Sequence, residues 1–268
     1  MEKVTSREYK VMLRPGRFKG SEKALFKAAG AFWRDFSKHV GKIAVAASGD
    51  LEAITTRRSI TFYDTRDQQL NNARYIFRER RDADGGERDF TLKFRHSDRY
   101  VTQDREMDAT PPEDAKTKFE EDIKGPFVSL YSFSTRIKDA DEGSFKTLDD
   151  VRRRFPGVAD RVEGFKADAK LSPVNGFTAR ELVLTGATLQ VGRTPPVNAE
   201  CALIVWYNAH RAKDKPVAVE FSYRYGDKEE AYGGGATRRA FEIFAVLQSK
   251  LKKWVDPKPR TKTAFVYQ

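Results

Sequence analysis

Residues 76–95, which read IFRERRDADGGERDFTLKFR, contain two pairs of cationic side chains at alternate positions. Arg78 and Arg80 share one parity in the first half of this stretch, and Lys93 and Arg95 share one parity in the second half. In a β-strand, alternate side chains point to the same face of the sheet. The spacing therefore places four cations on one face of a hairpin, where charge-assisted hydrogen bonds to phosphate oxygens are the obvious chemistry.

The two halves of this stretch are separated by Asp-Gly-Gly at 84–86, which is typical of a β-hairpin turn. Phe90, Leu92 and Phe94 form the opposite, apolar face of the second strand. Two interpretations are open on the hairpin alone. The cations either face water while the apolar side packs on a core, as in most antiparallel sheets, or they face an enclosed polar space.

The same division into a charged and an apolar face recurs along the chain. Alternation predicts strands at 6–13, 55–63, 74–81, 89–96, 128–138, 180–191, 200–207 and 217–225. Glu8 and Lys10 share a face in the first of these, Arg136 and Lys138 share a face in the fifth, and Glu220 lies on the polar face of the last. The number of strands is sufficient for a closed barrel or a sandwich.

Amphipathic helices interrupt the strands. Ser21 is a candidate cap for a helix with Leu25, Phe32 and Phe36 on one face, and 147–155 is a shorter helix. A last helix begins after the glycines at 233–235 and ends before Pro257, with an apolar stripe formed by Phe241, Phe244, Leu247, Leu251 and Trp254. If such helices cover the apolar strand faces from outside, the charged faces turn inward, which predicts a barrel with a polar lumen.

Residues 97–118 are rich in charge and contain two adjacent prolines, a pattern that predicts a mobile connection. On either side of it the chain offers several strands and an amphipathic helix. We therefore expect a single domain spanning 1–268 and made of two lobes, about 1–110 and 111–268.

Composition narrows the class of partner. Lys and Arg number 50 against 39 Asp and Glu, which gives a formal charge of +11 and predicts attraction to polyanions. The single cysteine, Cys201, lies in an apolar run, so we expect a buried thiol and no disulfide within the chain. The sequence shows no apolar signal core and no run near the roughly 20 apolar residues that span a bilayer, so we expect a cytoplasmic protein with no membrane partner.

A lumen lined by both signs of charge needs a complement, because burying unpaired charge is costly. A phosphate chain meets both needs: cations contact its oxygens, and carboxylates reach it through Mg²⁺ or Mn²⁺. His39, His96 and His210 are scattered without the spacing of a zinc site, so carboxylates are the expected metal ligands.

A longer stretch carries a resemblance to a known family. The run TFYDTRDQQLNNARYIFRERR, followed by DFTLKFR, resembles the signature of the CYTH, or triphosphate tunnel metalloenzyme, superfamily. The matching elements, in the family's order, are the turn Tyr63-Asp64-Thr65, Leu70, Arg78 with Arg80, and Thr91 with Lys93. Weaker matches extend over most of the chain: Glu8 with Lys10 in the first strand, Glu220 in the last, and Lys262 in the closing segment TKTAFVY.

The resemblance implies an α+β fold, a closed eight-stranded antiparallel β-barrel with a charged lumen and amphipathic helices packed outside. It also implies Mg²⁺ or Mn²⁺ and a triphosphate or polyphosphate substrate. Lys10 and Lys93 are the catalytic candidates implied, and Glu8 and Glu220 the metal ligands. The phosphate-binding candidates are Arg78, Arg80 and Lys262 from the resemblance, with Arg95, Arg136 and Lys138 added by strand parity.

The chain departs from the family's pattern at two candidate metal ligands. Ser6 and Ser222 stand where the family has glutamates, and a hydroxyl is a poorer ligand for a hard cation than a carboxylate. Either other acids complete the site, or metal binding is weakened. The alternative acids are Glu120, Glu121, Asp122 and Glu200, of which the Glu120–Glu121 pair is expected on a short helix.

Three functions remain to be compared. The first is a divalent-metal-dependent hydrolase of a triphosphate-containing substrate: inorganic triphosphate, polyphosphate, or a nucleoside or thiamine triphosphate. The second is a non-catalytic tunnel that binds nucleotide, polyphosphate or a phosphorylated RNA end. The third is a nucleic-acid-binding surface, which is disfavoured because the aromatic residues of these strands lie opposite the cations. The turn at 63–65 is expected to be structural, with Asp64 accepting local backbone hydrogen bonds.

Overall fold

The architecture comes from a computed structural model that describes residues 2–86, 88–113, 115–138, 145–211, 214–257 and 261–268. Within these residues the chain forms eleven strands and six α-helices. The strands are β1 (Ser6–Leu13), β2 (Ala46–Ser48), β3 (Ala53–Asp64), β4 (Tyr75–Asp82), β5 (Arg88–His96), β6 (Lys116–Lys124), β7 (Val128–Lys138), β8 (Ser172–Thr185), β9 (Thr188–Gly192), β10 (Val197–Asn208) and β11 (Pro216–Gly226). The helices are α1 (Glu22–Val40), α2 (Gln69–Asn72), α3 (Arg99–Gln103), α4 (Leu148–Arg154), α5 (Gly234–Lys250) and α6 (Lys262–Val266).

Nine of the strands close into a barrel. Their order is β11-β1-β6-β7-β5-β4-β3-β8-β10, and β10 pairs with β11 to complete the ring. The predicted α+β fold with a closed barrel is therefore confirmed, but eight strands and purely antiparallel pairing were wrong. A closed ring with an odd number of strands cannot alternate direction all the way round. The single parallel pair of this ring is β1 with β6, and β2 and β9 extend the sheet outside it.

Two strands were not predicted from the sequence: β6 and the short β2. Residues 97–118 were predicted to be a mobile connection, whereas the structure places α3 and the start of β6 there. Most of the charge that suggested a loop lies before β6, between Asp98 and Glu113, and β6 itself has one face in the lumen. The predicted strand 180–191 is likewise two strands, β8 and β9, separated at Gly186, whose φ of 116° favours glycine.

The main core lies outside the barrel, as the helix pattern predicts. Ser21 caps α1 by accepting a hydrogen bond from the backbone N–H of Ala24, and Phe32 of α1 packs edge-on against Phe221 of β11, with ring centroids 4.9 Å apart. Cys201 is buried in this core, as predicted. Phe241, predicted to belong to the buried stripe of the last helix, instead has 46% of its surface exposed.

A smaller apolar cluster lies on the lumen side of the strands, at one end of the barrel. Ile60, Phe62 and Trp206 pack there against Val266 of α6. Asn175 fixes α6 by donating hydrogen bonds from Nδ2 to the carbonyl oxygens of Val266 and Gln268, both at 2.8 Å. The inward face of β3 is therefore apolar at this end because a helix fills the lumen.

The two predicted lobes, 1–110 and 111–268, share one sheet, in which β1 of the first lobe lies between β6 and β11 of the second. In the part of the chain that is described, no helix combines the length and apolar character needed to cross a membrane.

Candidate functional site

The lumen of the barrel contains a cavity of about 570 Å³. Among the described residues, twelve cationic and five acidic side chains line it, so the wall carries a large excess of positive charge. The cations are Lys10, Arg58, Arg78, Arg80, Lys93, Arg95, Lys116, Lys118, Lys124, Arg136, Arg224 and Lys262, and the acids are Glu8, Glu120, Asp122, Glu181 and Glu220. The second interpretation of the hairpin, an enclosed polar space, is the one that the structure supports.

Arg78 and Arg80 are two of the cations that line this cavity. Their register places them opposite Thr91 and Asp89 of β5, and the Nε atoms of both are buried without a hydrogen-bond partner among the described residues. Burial, and then the neighbouring cations Arg80 and Arg58, lower the pKa of Arg78, although a guanidinium keeps its proton at neutral pH. These two buried N–H groups, which have no partner in the described part of the chain, are available as donors to an anion.

Asp122 of β6 holds the largest ion-pair network in the lumen. Its carboxylate accepts from Lys10 at 2.8 Å, from Arg95 at 2.9 Å and from Lys93 at 3.4 Å. Burial opposes its ionisation, but Lys10 and Lys93 outweigh burial and hold the pKa of Asp122 well below its usual value. The network brings two predicted catalytic residues and one predicted phosphate ligand to a single carboxylate.

The two predicted catalytic lysines respond differently to this environment. Burial lowers the pKa of Lys93 to about 8, helped by the nearby cations Arg95 and Lys10. Burial acts in the same direction on Lys10, but Asp122 and Glu8 outweigh it, so the pKa of Lys10 is raised. Lys93 therefore loses its proton more readily than Lys10. An anion bound beside Lys93 would stabilise its protonated form.

A divalent cation is implied by the family resemblance, and the carboxylates of the lumen fit it in one place. Glu8 and Asp122 are partners across the β1–β6 pair, and Lys10 Nζ lies 2.9 Å from Glu8 and 2.8 Å from Asp122. The ammonium of Lys10 thus already occupies a position between the carboxylates of Glu8 and Asp122. Mg²⁺ is commonly held by one or two carboxylates together with substrate phosphates, so these two residues fit an ion that arrives with a phosphate chain.

Glu220, the other predicted metal ligand, is not brought to Glu8. Glu8 lies opposite Arg224 and Glu220 lies opposite Met12, so the two glutamates are separated by four residues along β11, roughly 13 Å. Glu220 instead pairs with Lys262 at 3.0 Å. Within the described residues, no group of three or more His, Cys, Asp or Glu side chains is arranged to hold a metal.

The remaining predicted phosphate ligands divide into three positions. Arg95 and Arg136 line the lumen, and Arg136 lies 3.7 Å from Asp89. Lys262 enters the lumen from α6 and contacts Glu220. Lys138 is exposed at the end of β7 and does not line the cavity.

The four alternative acids do not all face the lumen. Glu120 and Asp122 face the lumen, whereas Glu121 faces outward, where it accepts hydrogen bonds from Arg7 and Ser129. Glu200 pairs with Arg224 at 3.1 Å and has an exposed side chain. Glu120 and Glu121 were expected on a short helix, which was wrong because both belong to β6.

Several lumen residues were missed by the sequence analysis. Those on β6 are Lys116, Lys118 and Lys124, and the others are Arg58, Glu181 and Arg224. The signal for β6 is present in KTKFEEDIK, whose odd-numbered positions include Phe119 and Ile123 and whose even-numbered positions are all charged. The prolines and the charge of the preceding segment concealed it.

Asp64 has the structural role predicted for it. It is 1% exposed, and its carboxylate accepts hydrogen bonds from the backbone N–H groups of Thr65, Leu70 and Asn71. These bonds fix the turn that leads from β3 through α2 into β4, and so they set the position of Arg78 and Arg80.

Comparisons with known proteins return structures and no sequence relatives. No family model and no curated protein matches the chain. Similar solved structures include a putative adenylyl cyclase from Hippeastrum described as having a dominant triphosphatase activity, with 10% identity, coverage of 98% of this chain and 95% of that one, and a TM-score of 0.47. A putative adenylate cyclase from Bacillus halodurans has 13% identity, coverage of 100% and 98%, and a TM-score of 0.41.

A putative adenylate cyclase from Vibrio parahaemolyticus has 10% identity, full coverage of both chains and a TM-score of 0.38. The motif residues Arg78, Arg80 and Lys93, which carry the sequence resemblance to the CYTH superfamily, all line the lumen of the closed barrel.

Proposed function

We propose that this protein binds a triphosphate-containing molecule in the lumen of its barrel and hydrolyses it. The observation that carries the proposal is the pair Arg78 and Arg80, whose Nε donors are buried and have no hydrogen-bond partner among the described residues, in a cavity whose wall is strongly positive. A buried cation without a partner is costly, and a chain of phosphates is a multivalent anion that pairs with several cations at once.

The lumen residues have separate roles in this proposal. Arg78, Arg80, Arg95 and Arg136 bind and orient phosphate oxygens, and Lys10 and Lys93 neutralise the charge that develops as an oxygen of water attacks phosphorus and the anhydride oxygen leaves. Glu8 and Asp122 would hold Mg²⁺ or Mn²⁺ that arrives with the substrate, and the ion would supply further charge neutralisation. Positioning and electrostatic stabilisation suffice for this reaction, so no nucleophilic side chain is required.

The test is release of phosphate and diphosphate from inorganic tripolyphosphate, ATP and thiamine triphosphate, each with Mg²⁺, Mn²⁺ or EDTA. We expect metal-stimulated turnover of at least one substrate and a loss of at least a hundredfold in Lys93→Ala. Arg81→Ala is the matched control, because Arg81 lies on β4 but on the outer face, and it should retain activity. Equal rates in Lys93→Ala and the wild type would contradict the proposal.

A second function is favoured by a specific observation. Ser6 and Ser222 replace two carboxylates of the family pattern, and Glu8, Asp122 and Glu220 are each already paired with a lysine. The tunnel would then capture a triphosphate group without cleaving it. Tight binding of tripolyphosphate that depends on Arg78, with no turnover under any metal condition, would select this function over hydrolysis.

A further inference from the structure

A second cavity of about 350 Å³ adjoins the lumen and differs from it in chemistry. Its apolar lining residues are Val11, Met12, Pro126, Val128, Val255 and Pro257. We call this cavity the annex. No aromatic ring lines it among the described residues, so it lacks the stacking surface that most often receives a nucleobase.

The annex and the lumen share part of their walls. Lys10, Lys124, Glu220 and Thr261 line both cavities, so the two cavities are adjacent at these residues. The boundary between an apolar space and a cationic one is where an apolar group joined to phosphate would lie.

Lys124 marks this boundary. It ends β6, faces the lumen, and forms no hydrogen bond or ion pair with any described residue. Lys10, at the same boundary, is already engaged by Glu8 and Asp122. Lys124 is therefore the cation available to the phosphate nearest the annex.

The wall of the annex is held by specific contacts. Gln248 of α5 donates a hydrogen bond from Nε2 to the carbonyl of Pro126 at 2.8 Å. A Cβ atom at position 125 would lie 2.8 Å from Gln248 Oε1, so a larger residue there would displace the end of the Gln248 side chain. The turn between β6 and β7 is consequently fixed against α5, and the annex is a formed cavity.

We propose that the ligand is an organic ester of triphosphate whose organic group is apolar and occupies the annex, while its phosphates lie in the lumen and Lys124 contacts the phosphate next to the ester. This inference rests on the proposed function and narrows the substrate class, because inorganic tripolyphosphate leaves the annex empty. Burial of apolar surface in the annex then adds to the affinity that the lumen cations supply.

The test compares methyl triphosphate with hexyl triphosphate by isothermal titration calorimetry. The two esters carry the same charge and differ in apolar length, so the ratio of their dissociation constants reports the annex alone. We expect the hexyl ester to bind at least tenfold more tightly, since burial of two methylene groups already corresponds to about tenfold. Equal affinities for the wild type would overturn the inference without any variant.

Two variants test whether the annex causes the difference in affinity between the hexyl and methyl esters. Val128 is 44% exposed, and Val128→Trp fills the annex whereas Val128→Asp makes its wall charged. Both should bring the hexyl-to-methyl ratio toward one, whereas the same substitutions at Val101, 36% exposed on α3, should leave it unchanged. A ratio that persists in both Val128 variants overturns the annex assignment. If neither ester nor tripolyphosphate binds, the proposed function fails as well; if both esters bind equally, only the annex inference fails.

Discussion

Arg78 is enclosed in the barrel, and Arg80 and Arg58 are close enough to lower its pKa. In the free protein this arrangement opposes folding, because desolvated like charges repel one another and their solvation is lost. A residue that only stabilised the barrel would be better replaced by an apolar side chain. Arg78 is therefore expected to matter for a ligand and not for the fold.

Arg78→Met should separate these two roles. We expect the ligand-free variant to be more stable than the wild type by about 1–3 kcal/mol, because a partly desolvated charge repelled by neighbouring cations is removed and the volume is nearly kept. Its affinity for tripolyphosphate should fall at least tenfold. Urea unfolding and calorimetric titration measure the two quantities.

Arg81→Met is the control for this prediction, since Arg81 lies on the outer face of the same strand and its side chain is 42% exposed. Substitution there should change stability by less than about 0.5 kcal/mol and leave the affinity intact. A destabilised Arg78→Met variant that still binds tripolyphosphate would show that Arg78 serves the fold.

Lys10 occupies the point between Glu8 and Asp122 where the carboxylates fit a divalent cation. Lys10→Met should therefore increase the affinity of the phosphate-free protein for Mn²⁺, because two facing carboxylates lose the ammonium that neutralises them. Electron paramagnetic resonance of free Mn²⁺ measures this directly. Lys118→Met, a change at another lumen lysine, should have a smaller effect. Equal Mn²⁺ affinity in Lys10→Met and the wild type would argue against a cation site at this pair.

At the scale of elements, Glu181 joins four parts of the fold. It lies on β8, accepts hydrogen bonds from Arg58 of β3 and Trp206 of β10, at 2.7 and 2.6 Å, and is 4.0 Å from Lys262 of α6. Burial opposes its charge, but Lys262 and Arg58 outweigh burial and lower the pKa of Glu181 to about 2. Its ionised form thus holds α6 in the lumen.

The stability that Glu181 contributes should depend on pH. Because its pKa falls from an ordinary 4.5 to about 2 on folding, the contribution is fully present above pH 4.5 and is lost as the pH falls toward 2. Its size at pH 7 is about 3 kcal/mol. Glu181→Gln should be less stable than the wild type by about this amount at pH 7, and by less than half of it at pH 3.

Urea midpoints of the two proteins at pH 7, 4 and 3 check the prediction. Other carboxylates titrate in the same range, so the informative quantity is the difference between wild type and variant at each pH. A difference that stays constant from pH 7 to pH 3 would mean that the charge of Glu181 is not what holds this junction.

For the whole molecule, the closed ring places most of the cations of β4, β5, β6 and β7 around one space. Charge of one sign in a confined volume raises the energy of the free protein and lowers that of a complex with a polyanion. Binding of a polyanionic ligand is therefore expected to stabilise the folded barrel. This property belongs to the closed barrel and to no single strand.

Tripolyphosphate should raise the melting temperature, by roughly 5–10 °C at a concentration one hundred times its dissociation constant. Added KCl should raise the melting temperature of the ligand-free protein, by screening repulsion in the lumen, and should reduce the increase caused by tripolyphosphate. Differential scanning fluorimetry at 20 and 500 mM KCl, with orthophosphate as the weaker comparison anion, measures both. A tripolyphosphate shift insensitive to KCl would contradict an electrostatic origin.

The sequence by itself determined the features that depend on neighbours along the chain. Period two in β4 and β5 placed Arg78 and Lys93 on one face, and the run after β3 predicted the turn held by Asp64. Ser21 predicted the start of α1. Strand parity, a turn and a helix cap each depend on residues only a few positions apart in the sequence. Local spacing was therefore enough to predict them.

Only the tertiary structure decided which distant residues meet. The parallel pairing of β1 with β6 put Asp122 beside Glu8 and Lys10, and the register of β1 on β11 kept Glu220 away from them. The first residues of β6 were predicted to belong to a connection, and Glu120 and Glu121 to a helix, because charged side chains in a polar lumen have the composition of a solvated surface. Alternation shows which residues share a face, whereas closure of the ring and strand register determine what that face encloses.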